Sequence, residues 1–132
     1  MKLITKNSDY AIRALRYLAC GKDCFVSSRE ISEKEKIPLL FLRRILQVLI
    51  KKKIIISKEG TAGGIKLNKD AGKISIASVI KIFQGDIQLS ECMFRKELCQ
   101  NRNKCLMRKK ILDIEKIVEN EFKKITVKDL LI

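Results

Sequence analysis

Three cysteines, Cys92, Cys99 and Cys105, stand in the segment SECMFRKELCQNRNKCLMRKK with six and then five residues between them, in a chain that has no histidine. Sulfur so placed can ligate a metal or a cluster, form a disulfide, or act as a small apolar group. Five cysteines in 132 residues are too few, and an odd number, for a secreted disulfide framework. Zinc sites take their ligands from tight CxxC pairs, and none is present. The wider spacings leave a loop able to wrap something larger than one ion. The thiolate is the ligating form, and Arg95, Lys96, Arg102, Lys104, Arg108, Lys109 and Lys110 against Glu97 alone support its charge. Iron-sulfur clusters are held by cysteine thiolates, normally four, so this loop lacks one donor. With no histidine, the fourth is a carboxylate, another cysteine or a small molecule. Cys20 and Cys24 stand apart: one continues the apolar face of the first helix, the other lies in the turn after it, and both are expected in the core.

Helical spacing of Ala11, Ile12, Leu15, Leu18 and Ala19 in SDYAIRALRYLAC predicts a first amphipathic helix. Ser27 with Glu30 three residues on is a capping box, opening a short second helix that ends before Pro38. Pro38 suits the first turn of a third helix, which sends Leu42, Ile45, Leu46 and Leu49 inward and Arg43, Arg44, Gln47 and Lys51 outward. IIISKEGTAGGIKL then reads as two short strands around a glycine-bearing loop. The expected fold is mainly α with a small β-hairpin wing: a winged helix-turn-helix DNA-binding domain over 1–72, then a cluster-binding loop and long dimerisation helix over 73–132.

That long helix follows Cys105, where Met107, Ile111, Ile114, Val118, Phe122 and Ile125 recur every three or four positions. A continuous stripe on a helix leaving so small a domain predicts a homodimer built mainly through residues 106 to 124, and two-fold readers need two recognition helices about one turn of B-DNA apart.

Lysine and arginine number 29 against 15 acids, a net charge of +14, which favours a polyanionic partner. In a helix-turn-helix the second helix enters the major groove, so Arg43 and Arg44 are candidates for base contacts and Gln47 for an adenine or a phosphate. Lys51 lies on the same face. Ser27, Ser28 and Arg29 begin the preceding helix, where anions are favoured. Lys58 and Thr61 on the hairpin are placed for the backbone or the adjacent minor groove. The apolar runs are too short for a membrane span and MKLITKNSDY has no signal h-region, so a soluble cytoplasmic protein is expected. Nothing resembles a nucleophile or general-base arrangement, so no enzyme is expected.

Taken together, SDYAIRAL, IPLLFLRRILQVL, SKEGTAGGIKL, the three-cysteine loop and ITVKDLL resemble the Rrf2-type transcription regulators, the family of IscR, NsrR and CymR, over essentially the whole chain. The resemblance implies a dimeric winged-helix operator binder whose loop cysteines hold a [2Fe-2S] or [4Fe-4S] cluster tuning DNA affinity. It implies Cys92, Cys99 and Cys105 as ligands and, as in NsrR-like members, a fourth from an aspartate on the partner's first helix, the position of Asp9. Arg108 stands where IscR-like members carry a ligating histidine. Three departures accompany it: the first cysteine spacing is six rather than five, Glu59 stands where the wing usually has arginine, and Leu40 replaces a polar base-reading residue. The alternative is a cluster-free, CymR-like repressor controlled by a protein partner or by thiol oxidation.

Overall fold

A computed structural model describes residues 3–21, 23–89 and 103–131. Helix α1 spans Lys6–Cys20, its N-terminus capped by Thr5, whose hydroxyl accepts from the Ser8 amide at 3.4 Å. Ala11, Ala14, Leu15 and Leu18 recur at helical spacing and are buried. Cys20 lies two positions past Leu18, about 200° round the helix, and Cys24 sits beyond its end; both are exposed, so neither joins the core as expected.

Helix α2 spans Ser28–Glu35 and is capped by Ser27, whose Oγ accepts from the Glu30 amide at 3.1 Å. The other half of the expected capping box does not form. Glu30 Oε2 instead accepts the Tyr17 hydroxyl at 2.7 Å, because α1 and α2 pack together and bring the phenol within reach. Lys36 then takes the left-handed conformation, φ 55° and ψ 47°, and turns the chain. Ser32 Oγ donates to the Ile37 carbonyl at 2.6 Å while the Ile37 amide donates to the Ser32 carbonyl at 3.1 Å, fixing that turn with Ile37 buried. Helix α3 spans Leu39–Lys51, so Pro38 is its capping residue rather than part of its first turn.

Strands β1, Ile55–Lys58, and β2, Gly64–Leu67, pair antiparallel with Ile55 opposite Leu67 and Lys58 opposite Gly64. After a short turn, α4 runs from Ile76 to Gln84 with Ser75 as its cap. The long helix, α5, spans Leu106–Lys124. Behind it the chain returns beside residue 75: the Ile76 amide donates to Ile125 O at 2.8 Å and the Val127 amide to Ile74 O at 2.9 Å. That return drives Val127 into the interior. One core joins the buried faces of α1, α3 and α4 with Ile54, Ile55, Ile65 and Val127. No helix among the described residues is long and apolar enough to cross a membrane.

Candidate nucleic-acid interface and sulfur site

The helix-turn-helix is α2, the Lys36–Pro38 turn and α3. Leu42, Ile45, Leu46 and Leu49 are buried and hold α3 against the body. The opposite face presents Arg43, Arg44, Gln47 and Lys51, all exposed. Among the described residues neither arginine has an ion-pair or hydrogen-bond partner, which leaves both guanidinium forks open to an external acceptor.

At the start of α2, Arg29 is exposed and unpaired, and Ser28 is half-buried. The Ser27 hydroxyl spends an acceptor site on the Glu30 amide, which leaves its proton to donate outward. The opposite end of α2 is bolted to α1. Arg13 Nη1 donates to the Glu35 carbonyl at 3.1 Å, and Arg16 pairs with the Glu35 carboxylate at 3.4 Å. These two bonds, not visible in the spacing of residues, set the angle at which the motif is presented.

The wing is anchored through Val26. Its amide and carbonyl exchange two 2.8 Å hydrogen bonds with Ile65, adding a one-residue third strand to the hairpin. Gly64 allows this approach, since a Cβ on it, at φ +143°, would lie 2.5 Å from Val26 O; Gly63 lets the hairpin itself close, since a Cβ there would lie 2.1 Å from Lys58 O. Lys58 and Lys66 place their Nζ atoms 5.7 and 5.3 Å from the centre of the Phe25 ring, a pair of cation–π contacts that orient both charges. Thr61 is exposed in the loop between the strands, as is Glu59. Phe25 and Lys66 escaped the sequence reading because a lone aromatic in a turn carries no periodic signal.

Of the candidate sulfur ligands, Cys92 and Cys99 lie outside the described residues. Cys105 is the N-cap of α5, half-buried, and its Sγ accepts from the Arg108 amide at 3.4 Å. The sulfur thus stands at a helix N-terminus with a backbone amide aimed at it. Asp9 lies in the first turn of α1, where its Oδ2 accepts from Arg13 Nη2 at 2.6 Å and Nε at 3.1 Å. That bond raises Arg13 above the ordinary guanidinium value, partly opposed by the arginine's burial. Because both bonds use Oδ2, Oδ1 keeps its lone pairs. Among the described residues no three histidines, cysteines or acids gather into a metal site within one chain. The donors in view, one thiol at a helix N-terminus and one carboxylate oxygen without a partner among the described residues, are of the kinds that can ligate iron.

The entrance to the cysteine loop is tied down by a residue that spacing did not mark. Glu115 is buried on α5, and its Oε1 accepts from the Leu89 amide at 2.9 Å. The apolar stripe of α5 divides. Phe122 and Ile125 pack against the chain's own core, and Ile111 and Val118 are half-buried, whereas Met107 and Ile114 are exposed. Leu106 and Ile117 join the exposed set, Ile117 at 61% exposure. Ile117 was legible in principle, three residues past Ile114.

A winged helix-turn-helix with unpaired arginines on its second helix, followed by a long helix with an apolar outer edge, defines a class of DNA-binding regulators. The Rrf2 family model, described as an iron-dependent transcriptional regulator, matches residues 4–132. The chain is 32% identical over 124 residues to an HTH-type transcriptional regulator of Aquifex aeolicus, covering 92% of this chain and 86% of that protein. It is 30% identical over 128 residues to the HTH-type transcriptional regulator IscR of Yersinia pseudotuberculosis, covering 96% and 77%. The structure of CymR, the global cysteine regulator of B. subtilis, superposes with a TM-score of 0.80 at 20% identity, covering 98% and 96%. The chain belongs to the Rrf2 family of transcription regulators: it is a DNA-binding regulator with a winged-helix fold and not an enzyme.

Proposed function

We propose that this regulator works as a homodimer that places two copies of α3 in successive major grooves of an operator, with affinity set by an iron-sulfur cluster. In this reading residues 1–72 bind DNA and 73–132 sense and assemble. The observation that carries DNA recognition is the outward face of α3, where Arg43, Arg44, Gln47 and Lys51 are exposed and neither arginine is spent inside the chain. Arg43 and Arg44 read base edges, Gln47 an adenine or a phosphate, and Ser27, Ser28, Arg29, Lys51, Lys58 and Thr61 hold the sugar-phosphate backbone. Met107, Ile111, Ile114 and Val118 form the dimer seam, with Phe122 bracing it from the core side.

Cys92, Cys99 and Cys105 of one chain, with Asp9 of its twin, would hold the cluster, which when bound supplies a centre sensitive to redox state, iron supply or nitric oxide. Such a centre changes DNA affinity only by binding two conformations unequally. What supports a switching role for Asp9 is that Arg13 links it directly to the Glu35 carbonyl at the end of α2. The likeness to a protein named IscR supports this reading. A cluster-free regulator of CymR type is the second reading, supported by the superposition on CymR and by the Asp9–Arg13 ion pair, which engages Oδ2 of the carboxylate within the chain.

Oxygen-free purification separates the two. The first expects a coloured protein with iron and sulfide whose absorption and Mössbauer spectra change in Cys99→Ala and Asp9→Ala. Colourless protein without iron, whose duplex affinity is the same with and without the three loop thiols, supports the second.

A further inference from the structure

Leu40 is 73% exposed, the most exposed large apolar side chain among the described residues. It lies in the first turn of α3, and with Arg44, Gln47 and Lys51 it falls at the i, i+4, i+7 and i+11 positions of one helix face. Nothing among the described residues covers it. The exposed apolar residues of α5 lie on the proposed dimer seam; Leu40 lies on α3, at the N-terminal end of a row otherwise built of guanidinium, amide and ammonium groups. It adds nothing to the core, and in free protein it holds apolar surface in water at a free-energy cost.

The N-terminal residues of a recognition helix are the ones that reach base edges, and the major groove offers a single apolar feature to meet them, the 5-methyl group of thymine. We propose that Leu40 is a specificity-determining residue that packs on a thymine methyl, one in each operator half-site, adjacent to the bases read by Arg43 and Arg44. Its ligand is therefore a methyl-bearing pyrimidine edge, and 5-methylcytosine presents the same group on a different base pair. This inference rests on the reading of α3 as the groove-entering helix, and it goes beyond that reading by naming the base and the atom.

The experiment selects duplexes from a randomised pool with the full-length protein, then replaces each thymine of the selected sequence in turn by deoxyuridine, which removes only the methyl. For the wild type, one thymine per half-site is expected to lose about fourfold in affinity on this replacement, the value of one buried apolar carbon. Leu40→Ala is expected to bind thymine and deoxyuridine duplexes equally at that position, with an unchanged salt slope because no charge is removed. Circular dichroism of the variant checks that the exposed substitution leaves the fold intact, and Leu40→Met, which restores apolar reach, is expected to recover the discrimination. If the wild type selects a sequence but no thymine methyl matters, or if Leu40→Ala keeps the same methyl preference, the inference fails and the regulator reading stands. If the wild type selects no sequence at all, both fail.

Discussion

Helices α3 and α5 are both amphipathic, and they face opposite problems. In α3 four leucine and isoleucine positions are buried and the outward face is basic, save for Leu40. Its packing is complete within one chain, and what it offers outward suits a polyanion. In α5 the only buried residue is a glutamate, while Leu106, Met107, Ile114 and Ile117 are exposed. A 19-residue helix so arranged carries an apolar edge that the described residues leave uncovered. The contrast teaches that recognition geometry is set inside the chain, whereas in the proposed dimer the spacing of the two recognition helices would depend on what covers α5.

The sharpest way to break the comparison is to charge the α5 edge. Ile114→Glu with Ile117→Glu is expected to convert the dimer to a monomer in sedimentation velocity and to weaken duplex binding by about 100-fold or more, because two linked half-sites act through effective concentration. Helix content should be unchanged, since both side chains are exposed. A dimer that survives would move the seam elsewhere.

On the other side, Arg43→Ala and Arg44→Ala are each expected to cost about tenfold in specific affinity without altering the oligomer. Their salt dependence sharpens the assignment: a base-reading arginine relaxes sequence preference, whereas a phosphate contact lowers the slope by about 0.9 and leaves preference intact.

How much of this was legible in the chain can be argued from α3 and its neighbours. The inward residues Leu42, Ile45, Leu46 and Leu49 and the outward arginines follow from a 3.6-residue period, and Ser27 announced itself as a cap. These are local properties. Cys20 was misread because Ala19 beside it leans inward, while the position after it has rotated to solvent. Glu30 was half misread because a tyrosine thirteen residues earlier competes for it. Asp9 could be matched to a ligand position, but its grip on Arg13, and Arg13's on Glu35, needed coordinates.

The self-sufficiency of the recognition half yields two smaller effects. Gly64→Ala is expected to lower stability by about 1–3 kcal/mol in denaturant unfolding, since a Cβ there meets the Val26 carbonyl at a positive φ. The Tyr17–Glu30 bond raises the Tyr17 phenol above 10.0, with minor contributions from burial and neighbouring acids. Its stabilisation is therefore present in full below pH 10.0 and is lost as pH rises through the shifted value. Phenolate absorbance should place the Tyr17 midpoint above 10.0, and Glu30→Gln should move it down.

By itself the sequence determined the helix-turn-helix with its hairpin, the sulfur-bearing loop and the sign of the partner's charge, because period, capping and net charge are properties of neighbouring residues. Only the tertiary structure decided which side of α5 remains uncovered, which acid holds the tyrosine, how Phe25 steadies two lysines, and that Leu40 points outward among cations. Those outcomes depend on how helices cross and on which distant side chains then come within hydrogen-bonding or packing distance, and no linear spacing records that.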